Sequence, residues 1–160
     1  EKALAVQHKV LGEGHVDTAT TLNNMATVLS MVGDHDKALA LFEKDLAITT
    51  GVFGEQHPNT ATTLNNIAIV YKDQGRLDEA HDHYKRSLDI RRSAFGEEHS
   101  ETAASYNNIA GVLFAKGCVD EALEHYKKAI AIREKVLGPD HIEVAGSYHG
   151  VAVVHKARGE

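Results

Sequence analysis

The sequence has few of the residues that mark several classes of protein. Its 160 residues include one cysteine, Cys118, two prolines and no tryptophan. A single cysteine excludes an internal disulfide and fits a reducing, cytoplasmic setting. No apolar run approaches the roughly 18 residues that a membrane-spanning helix needs, and no signal-peptide pattern opens the chain. These absences argue against both a membrane protein and a secreted disulfide scaffold.

Positive charge is scarce as well. The chain has 17 Lys and Arg against 23 Asp and Glu, a net charge of -6 with the histidines neutral. A nucleic-acid-binding surface needs clustered basic side chains, so no nucleic-acid partner is predicted. The first residues, EKALAVQ, have the pattern of the middle of a helix. We therefore expect the chain to be a fragment of a larger protein.

What the sequence does contain is a repeat with a step of 42 residues. A linker ending in histidine, a segment with paired asparagines and a single glycine all keep this step. Their occurrences are LGEGH (11–15), FGEQH (53–57), FGEEH (95–99) and LGPDH (137–141); TLNNMA (21–26), TLNNIA (63–68), SYNNIA (105–110) and SYHGVA (147–152); and Gly33, Gly75, Gly117 and Gly159. Markers that share one register indicate tandem copies of one structural unit.

Each unit has the pattern of two amphipathic helices. The apolar residues of the first helix recur at i, i+3, i+4 and i+7, as Leu64, Ile67, Ala68 and Tyr71. Those of the second helix are Leu77, Ala80, Tyr84, Leu88 and Phe95. Gly75 and Gly96 follow these two stripes, where glycine suits a helix end. No segment alternates as a strand would, so an all-α chain is predicted.

The repeat predicts a single array over residues 1–160. Its expected parts are a partial second helix (1–12), three repeats (13–54, 55–96 and 97–138) and a partial repeat with one first helix (139–160). Helix pairs are expected at about 16–53, 58–95 and 100–137, and a last helix at about 142–158. Because one pair cannot bury both of its stripes, neighbouring pairs must stack. Small residues would allow the close approach: Ala26, Ala68, Ala110 and Ala152 in first helices, and Ala38, Ala80 and Ala122 in second helices.

The order of these residues resembles the tetratricopeptide repeat (TPR). The 42-residue step, the GEQHP linker (54–58) and the paired asparagines are similar to the repeats of the kinesin light chain and of nephrocystin-like proteins. The resemblance implies an α-solenoid, a superhelix of helix pairs whose first helices line a concave groove. It also implies a non-enzymatic protein–protein interaction scaffold that binds an extended peptide segment of a partner. The groove positions lack the several basic residues of a chaperone-binding carboxylate clamp, which disfavours a chaperone-tail receptor.

On a helical wheel Asn66 points away from the buried stripe, where little except a ligand could contact it, and Asn65 lies between the two faces. With the resemblance, the expected groove floor is Asn24, Asn66 and Asn108, and the expected flank is Asn23, Asn65 and Asn107. Side-chain amides can pair with an extended peptide backbone. Alternatively, they can hydrogen-bond between neighbouring helices as a structural ladder.

Other expected groove residues are Thr62, Ile69, Lys72 and Phe114. Ile69 and Phe114 could hold an apolar or aromatic anchor of the ligand, and Lys72 suits a ligand with scattered acids. In the last helix Gly150 takes the position of Asn108, so the ladder is expected to end there.

No catalytic, metal or cofactor site is predicted. One histidine recurs in each linker, at His15, His57, His99 and His141. Successive units are too far apart for these rings to share one zinc ion, so each is expected to cap or pack against the helix that follows. Cys118 has no histidine near it in sequence to act as a base.

An alternative function stays open from the sequence. The array could be a structural, sensor or self-association module of a larger regulatory protein, with its groove filled by its own chain or by another copy. End-to-end association of the fragment through stripes at its ends would then be expected.

Overall fold

The computed structural model describes residues 10–12 and 14–160, and all regular structure in these residues is helical. Seven helices follow one another there: α1 (Val16–Met31), α2 (His35–Phe53), α3 (Pro58–Asp73), α4 (Leu77–Phe95), α5 (Ser100–Ala115), α6 (Val119–Leu137) and α7 (Ile142–Arg158). The predicted all-α class and the predicted positions of the helix pairs are confirmed. The partial helix expected over 1–12 lies mostly outside the described residues, and the unit boundaries drawn between the helices stay a prediction.

Each first helix begins after a histidine whose ring caps it. Nδ1 of His57 accepts a hydrogen bond from the backbone amide of Asn59 at 3.1 Å. The same bond occurs at His15, His99 and His141. The first amides of a helix have no partner within it, so this bond satisfies one of them. The predicted capping role of the linker histidines is therefore confirmed.

The ring of His57 also stacks on Phe53, and that of His99 stacks on Phe95, each with ring centroids 4.5 Å apart. Phe95, the last residue of the predicted apolar stripe of its helix, is 40% exposed. Phe95 lies at the last turn of α4 and packs on the capping ring.

A tight turn at glycine joins the two helices of a pair. Gly75 has a φ of 74°, in the left-handed region that favours glycine. Its amide donates to the carbonyl of Lys72 at 2.9 Å, and the amide of Arg76 donates to the carbonyl of Tyr71 at 2.8 Å. These two bonds satisfy the last carbonyls of α3, so that α4 can start immediately and lie antiparallel to it.

The alanines of both helices lie where the pairs pack most closely. The side chains of Ala26, Ala68, Ala110, Ala38, Ala80 and Ala122 have no exposed surface. Ala152 differs from this expectation because it is exposed on α7. No described helix lies beyond α7, so nothing in the described chain packs on that residue.

The first helices of successive units share one side of the array. The first helices α1 and α3, and likewise α5 and α7, contact each other directly, whereas no contact of that extent joins second helices in the described part of the chain. We call the side that the first helices share the inner side, because the resemblance implies that it is the concave one. None of the described helices is long and apolar enough to cross a bilayer.

Candidate functional site

Asparagines of the first helices form hydrogen bonds from helix to helix along the inner side. Nδ2 of Asn66 donates to Oδ1 of Asn23 at 3.2 Å, which joins α3 to α1. Nδ2 of Asn108 donates to Oδ1 of Asn65 at 2.9 Å, which joins α5 to α3. We call these residues, with Asn107, the asparagine ladder.

The ladder ends at α7. There the hydroxyl of Ser147 donates to Oδ1 of Asn107 at 3.0 Å. Gly150 takes the position that asparagine has in the earlier units, and a Cβ at that position would lie 2.4 Å from Cε1 of Tyr126. The tyrosine ring therefore occupies the space that a longer side chain would need, which accounts for the predicted end of the ladder at Gly150.

The ladder corrects one expectation about Asn66 and Asn108. Both are half-buried and bonded to a neighbouring first helix, so the expectation that little except a ligand could contact them is wrong. The wheel treats one helix alone and contains no neighbour. Asn24 is exposed. Contact of the asparagines with a peptide stays a prediction.

The other expected groove residues differ in exposure. Thr62 and Lys72 are exposed. Ile69 and Phe114 are partly buried and pack against the core formed by α3 to α6. A ligand could reach only part of these two side chains, so their role as an apolar anchor stays a prediction.

A buried carboxylate lies where α2 packs against α1 and α3. Asp45 is 2% exposed. Its Oδ2 accepts a hydrogen bond from Nδ2 of Asn23 at 2.6 Å and one from the hydroxyl of Thr63 at 2.8 Å. Burial raises the pKa of Asp45 because it disfavours the charged form, and the two hydrogen bonds offset part of this effect.

Sequence reasoning missed Asp45. The signal was present, because the corresponding positions of the next two units hold Ser87 and Ala129. A charged residue at a position that is otherwise small and buried calls for a partner.

The two later contacts between units, α4 with α5 and α6 with α7, each contain a buried arginine. Arg91 is 5% exposed, and its Nη1 donates to the hydroxyl of Ser105 at 2.9 Å. Its Nη2 lies 2.9 Å from a carboxylate oxygen of Glu101. Arg133 makes the same contacts one unit later, 2.7 Å to Ser147 and 3.2 Å to Glu143. Each guanidinium therefore joins a second helix to the first helix of the next unit.

At the contact between α2 and α3, Thr49 takes the position that Arg91 has one unit later. A recess of about 180 Å³ lies there between α1, α2 and α3. The residues that line it are mostly small and polar: Val16, Ala19, Thr20, Asn23, Asn24, Asp45, Thr49, Asn59, Thr62 and Thr63. Thr20, Asn24 and Thr62 are exposed, so the recess opens on the inner side beside the asparagine ladder. Asp45 is the one charged residue among the described residues of its lining.

Two histidines outside the linkers, His83 and His125, have local contacts. Nδ1 of His83 and of His125 each lie 2.9 Å from the carbonyl oxygen one turn earlier, at Glu79 and Glu121. Within the described ranges no three residues of the kinds that ligate metals lie together.

Comparisons with known proteins place this geometry in a family. The model of the tetratricopeptide repeat matches residues 1–48, 33–93 and 101–160. The chain belongs to the tetratricopeptide repeat family. No curated protein sequence matches the chain.

Solved structures indicate the type of tetratricopeptide repeat. One match is the crystal structure of a point variant of the nearly identical TPR-like repeats of a putative kinesin light chain from Podosopora anserina. It has a TM-score of 0.82 and 26% identity, over 99% of this chain and 74% of that one. A second structure of those repeats matches with a TM-score of 0.80 and 26% identity, over 99% and 75%. BtubC (BKLC) from P. vanneervenii matches with a TM-score of 0.81 and 24% identity, over 91% of this chain and 58% of its own. The repeats are thus of the kinesin light chain type, and the chain spans little more than half the length of BtubC.

Proposed function

We propose that this array is a non-enzymatic interaction scaffold that binds an extended segment of a partner protein along the inner side of its first helices. Tetratricopeptide repeats generally mediate protein–protein contacts, and repeats of the kinesin light chain type are typically scaffolds. The observation that carries the proposal is the asparagine ladder, which repeats side-chain amides along this inner side.

The ladder holds its amides in place without using all of their hydrogen-bonding capacity. A side-chain amide has two N–H donors and an oxygen with two lone pairs. Asn66 uses one donor on Asn23, and its oxygen lies 3.5 Å from Nδ2 of Asn65. Its remaining donor and lone pair are available to a peptide backbone. Because the helix-to-helix bonds fix the amide beforehand, a ligand loses less free energy in ordering it.

The surface beside the ladder favours recognition of a backbone over recognition of charge. Asn24 and Thr62 are exposed there and neutral, and Lys72 is an exposed cation at the end of α3. An extended chain presents an N–H and a carbonyl at each residue, which matches a row of amides. Specificity for side chains must therefore come from recesses between the helices.

The test is a peptide-display screen against the wild-type array, followed by affinity measurements on Asn24→Ala. Asn24 is exposed and has no side-chain hydrogen bond among the described residues, so this variant should melt as the wild type does. Loss of one neutral hydrogen bond should weaken the selected peptides about two- to tenfold. Glu124→Ala, at an exposed position of the second helix α6, is the matched control and should bind as the wild type does.

Two results would contradict the proposal. One is the absence of any selected peptide class. The other is equal affinity of Asn24→Ala and Glu124→Ala for every selected peptide, since contact at the inner side requires that they differ.

Self-association is a second candidate, favoured by apolar side chains on α7. Ile142 is 79% exposed and Tyr148 is 51% exposed. Burial of such side chains against another copy would make the mass and the thermal stability depend on concentration. Sedimentation over a hundredfold range of concentration distinguishes the candidates, because a peptide scaffold with an open groove stays at the monomer mass.

A further inference from the structure

The buried polar groups at the contacts between successive units are of two kinds. At the second and third contacts a buried guanidinium, from Arg91 or Arg133, lies between a hydroxyl and a carboxylate of the next first helix. The first contact keeps the hydroxyl, at Thr63, but Thr49 takes the arginine position. Asn59 takes the position of the carboxylate residue Glu101.

The first contact nevertheless has a carboxylate, supplied by α2. Asp45 takes the position of Ser87, and its side chain lies against Thr63 at 2.8 Å. In the described part of the chain, this contact therefore has the anion and the hydroxyl of the other two without their cation. Both partners of Oδ2 are neutral donors, an amide and a hydroxyl. Among the described residues this carboxylate, which is 2% exposed, is paired only with neutral groups, and its charged form is costly unless a cation joins it.

The recess has room for that cation. Its volume of about 180 Å³ is several times the roughly 30 Å³ that one molecule occupies in liquid water. Its walls offer amide and hydroxyl oxygens from Asn59, Thr62 and Thr49 as acceptors for further N–H groups. The exposed residues at its mouth, Thr20 and Asn24, belong to the inner side of the first helices.

We propose that this recess, beside the buried carboxylate of Asp45, binds the guanidinium of an arginine side chain from the bound partner segment. The ligand's arginine takes the place that the chain's own arginines take at the next two contacts. A guanidinium is favoured over an ammonium because its planar N–H groups can contact a carboxylate and a hydroxyl together, as Arg91 does with Glu101 and Ser105. This inference rests on the proposed function, since it gives one side chain of the segment that the inner side would bind.

Titration followed by NMR tests the recess directly, without a selected peptide. The probe is N-acetyl-arginine methylamide, and the readout is the shift of the backbone amides of Asp45 and Thr63. We expect a saturable shift with the wild type. The uncharged citrulline analogue, of nearly the same shape, should bind at least about tenfold more weakly, because a hydrogen bond to a charged group is the stronger kind.

Two variants control for the site. Asp45→Ser introduces the residue of the next unit and removes the carboxylate. Thr49→Arg introduces the arginine of the next two units, which should fill the recess from within, raise the melting temperature and block the probe. Both should lose at least about tenfold in affinity for the probe. Thr49→Arg keeps the test decisive if Asp45→Ser does not fold.

The outcomes separate this inference from the proposed function. Absence of a wild-type shift, equal binding of the citrulline analogue, or a probe that still binds Thr49→Arg overturns the arginine site. Equal binding of N-acetyl-lysine methylamide overturns the preference for guanidinium. If display selects peptides without an arginine at a constant position, peptide binding is supported and the arginine site is refuted. If no peptide is selected but the probe binds, the arginine site stands and the extended-peptide function fails.

Discussion

Gly150 gives the sharpest quantitative test of the packing between the last units. A Cβ added there would lie 2.4, 2.5 and 2.9 Å from Cε1, Cζ and Cδ1 of the Tyr126 ring. Ordinary contacts between carbon atoms are about 3.5–4.0 Å, so ring or helix must move by roughly 1 Å. The ring is 9% exposed and packs with Ala110 and Val154, so it has little room to move.

The same helix supplies the control. Gly146 also lies within α7, but nothing lies within 4 Å of a Cβ added there. Each Gly→Ala change stabilises the helix by about 0.5–1 kcal/mol through backbone entropy. That gain is common to both variants and cancels in their difference. Gly150→Ala should therefore be less stable than Gly146→Ala by the overpacking cost alone, about 1–3 kcal/mol.

Urea unfolding measures this difference, and native-state hydrogen exchange of the α7 amides shows whether the loss is local. A Tyr126→Leu background removes the ring edge, and there the two alanine variants should agree to within about 0.5 kcal/mol. Equal stabilities of Gly150→Ala and Gly146→Ala in the wild-type background would refute the role given to the ring. They would also remove the reason offered for the end of the ladder.

Two further predictions concern buried charge. Arg91→Ala leaves the contact between units without its guanidinium and should lower the free energy of unfolding by about 3 kcal/mol. The control is Arg92→Ala, which removes a half-exposed side chain paired to Glu97 and should lower it by under about 1 kcal/mol. Urea unfolding measures both variants, and equal losses would contradict this reasoning. Because burial raises the pKa of Asp45 in the folded state, its contribution to stability is complete below its usual pKa and is lost as pH rises through the raised value. Asp45→Asn should therefore gain stability relative to the wild type as the pH rises above about 4, the usual pKa of an aspartate, and a difference that stays constant with pH would contradict the direction of the shift.

The repeat predicted the fold well because both depend on short-range patterns. Apolar spacing, linker histidines and turn glycines act within one helix or one turn, so the roles of residues such as His57 and Gly75 could be predicted correctly from the sequence alone. The inner side was harder to predict because its side chains contact other units. Asn66 bonds to Asn23, 43 positions away, and a wheel drawn for one helix contains no such neighbour.

Asp45 shows what comparison between units could have added. Residues that recur define the repeat, whereas Asp45 and Thr49 are informative because they do not recur. Aligning the units places Asp45 with Ser87 and Thr49 with Arg91. Loss of an arginine and gain of an aspartate at neighbouring buried positions of one unit predict a charge without its partner.

Differences between units also decide how a repeated surface can bind a chain in one way only. A row of like amides offers a peptide backbone several equivalent registers, one unit apart, and on that basis alone has no preferred one. Register requires a feature that occurs once. Within the described part of the chain, the recess at Asp45 lies at the contact between α2 and α3 and Gly150 lies in α7, so the two ends of the described inner side differ. A ligand arginine at the recess would place the segment in one register, and the ring of Tyr126 would mark where the polar contacts stop.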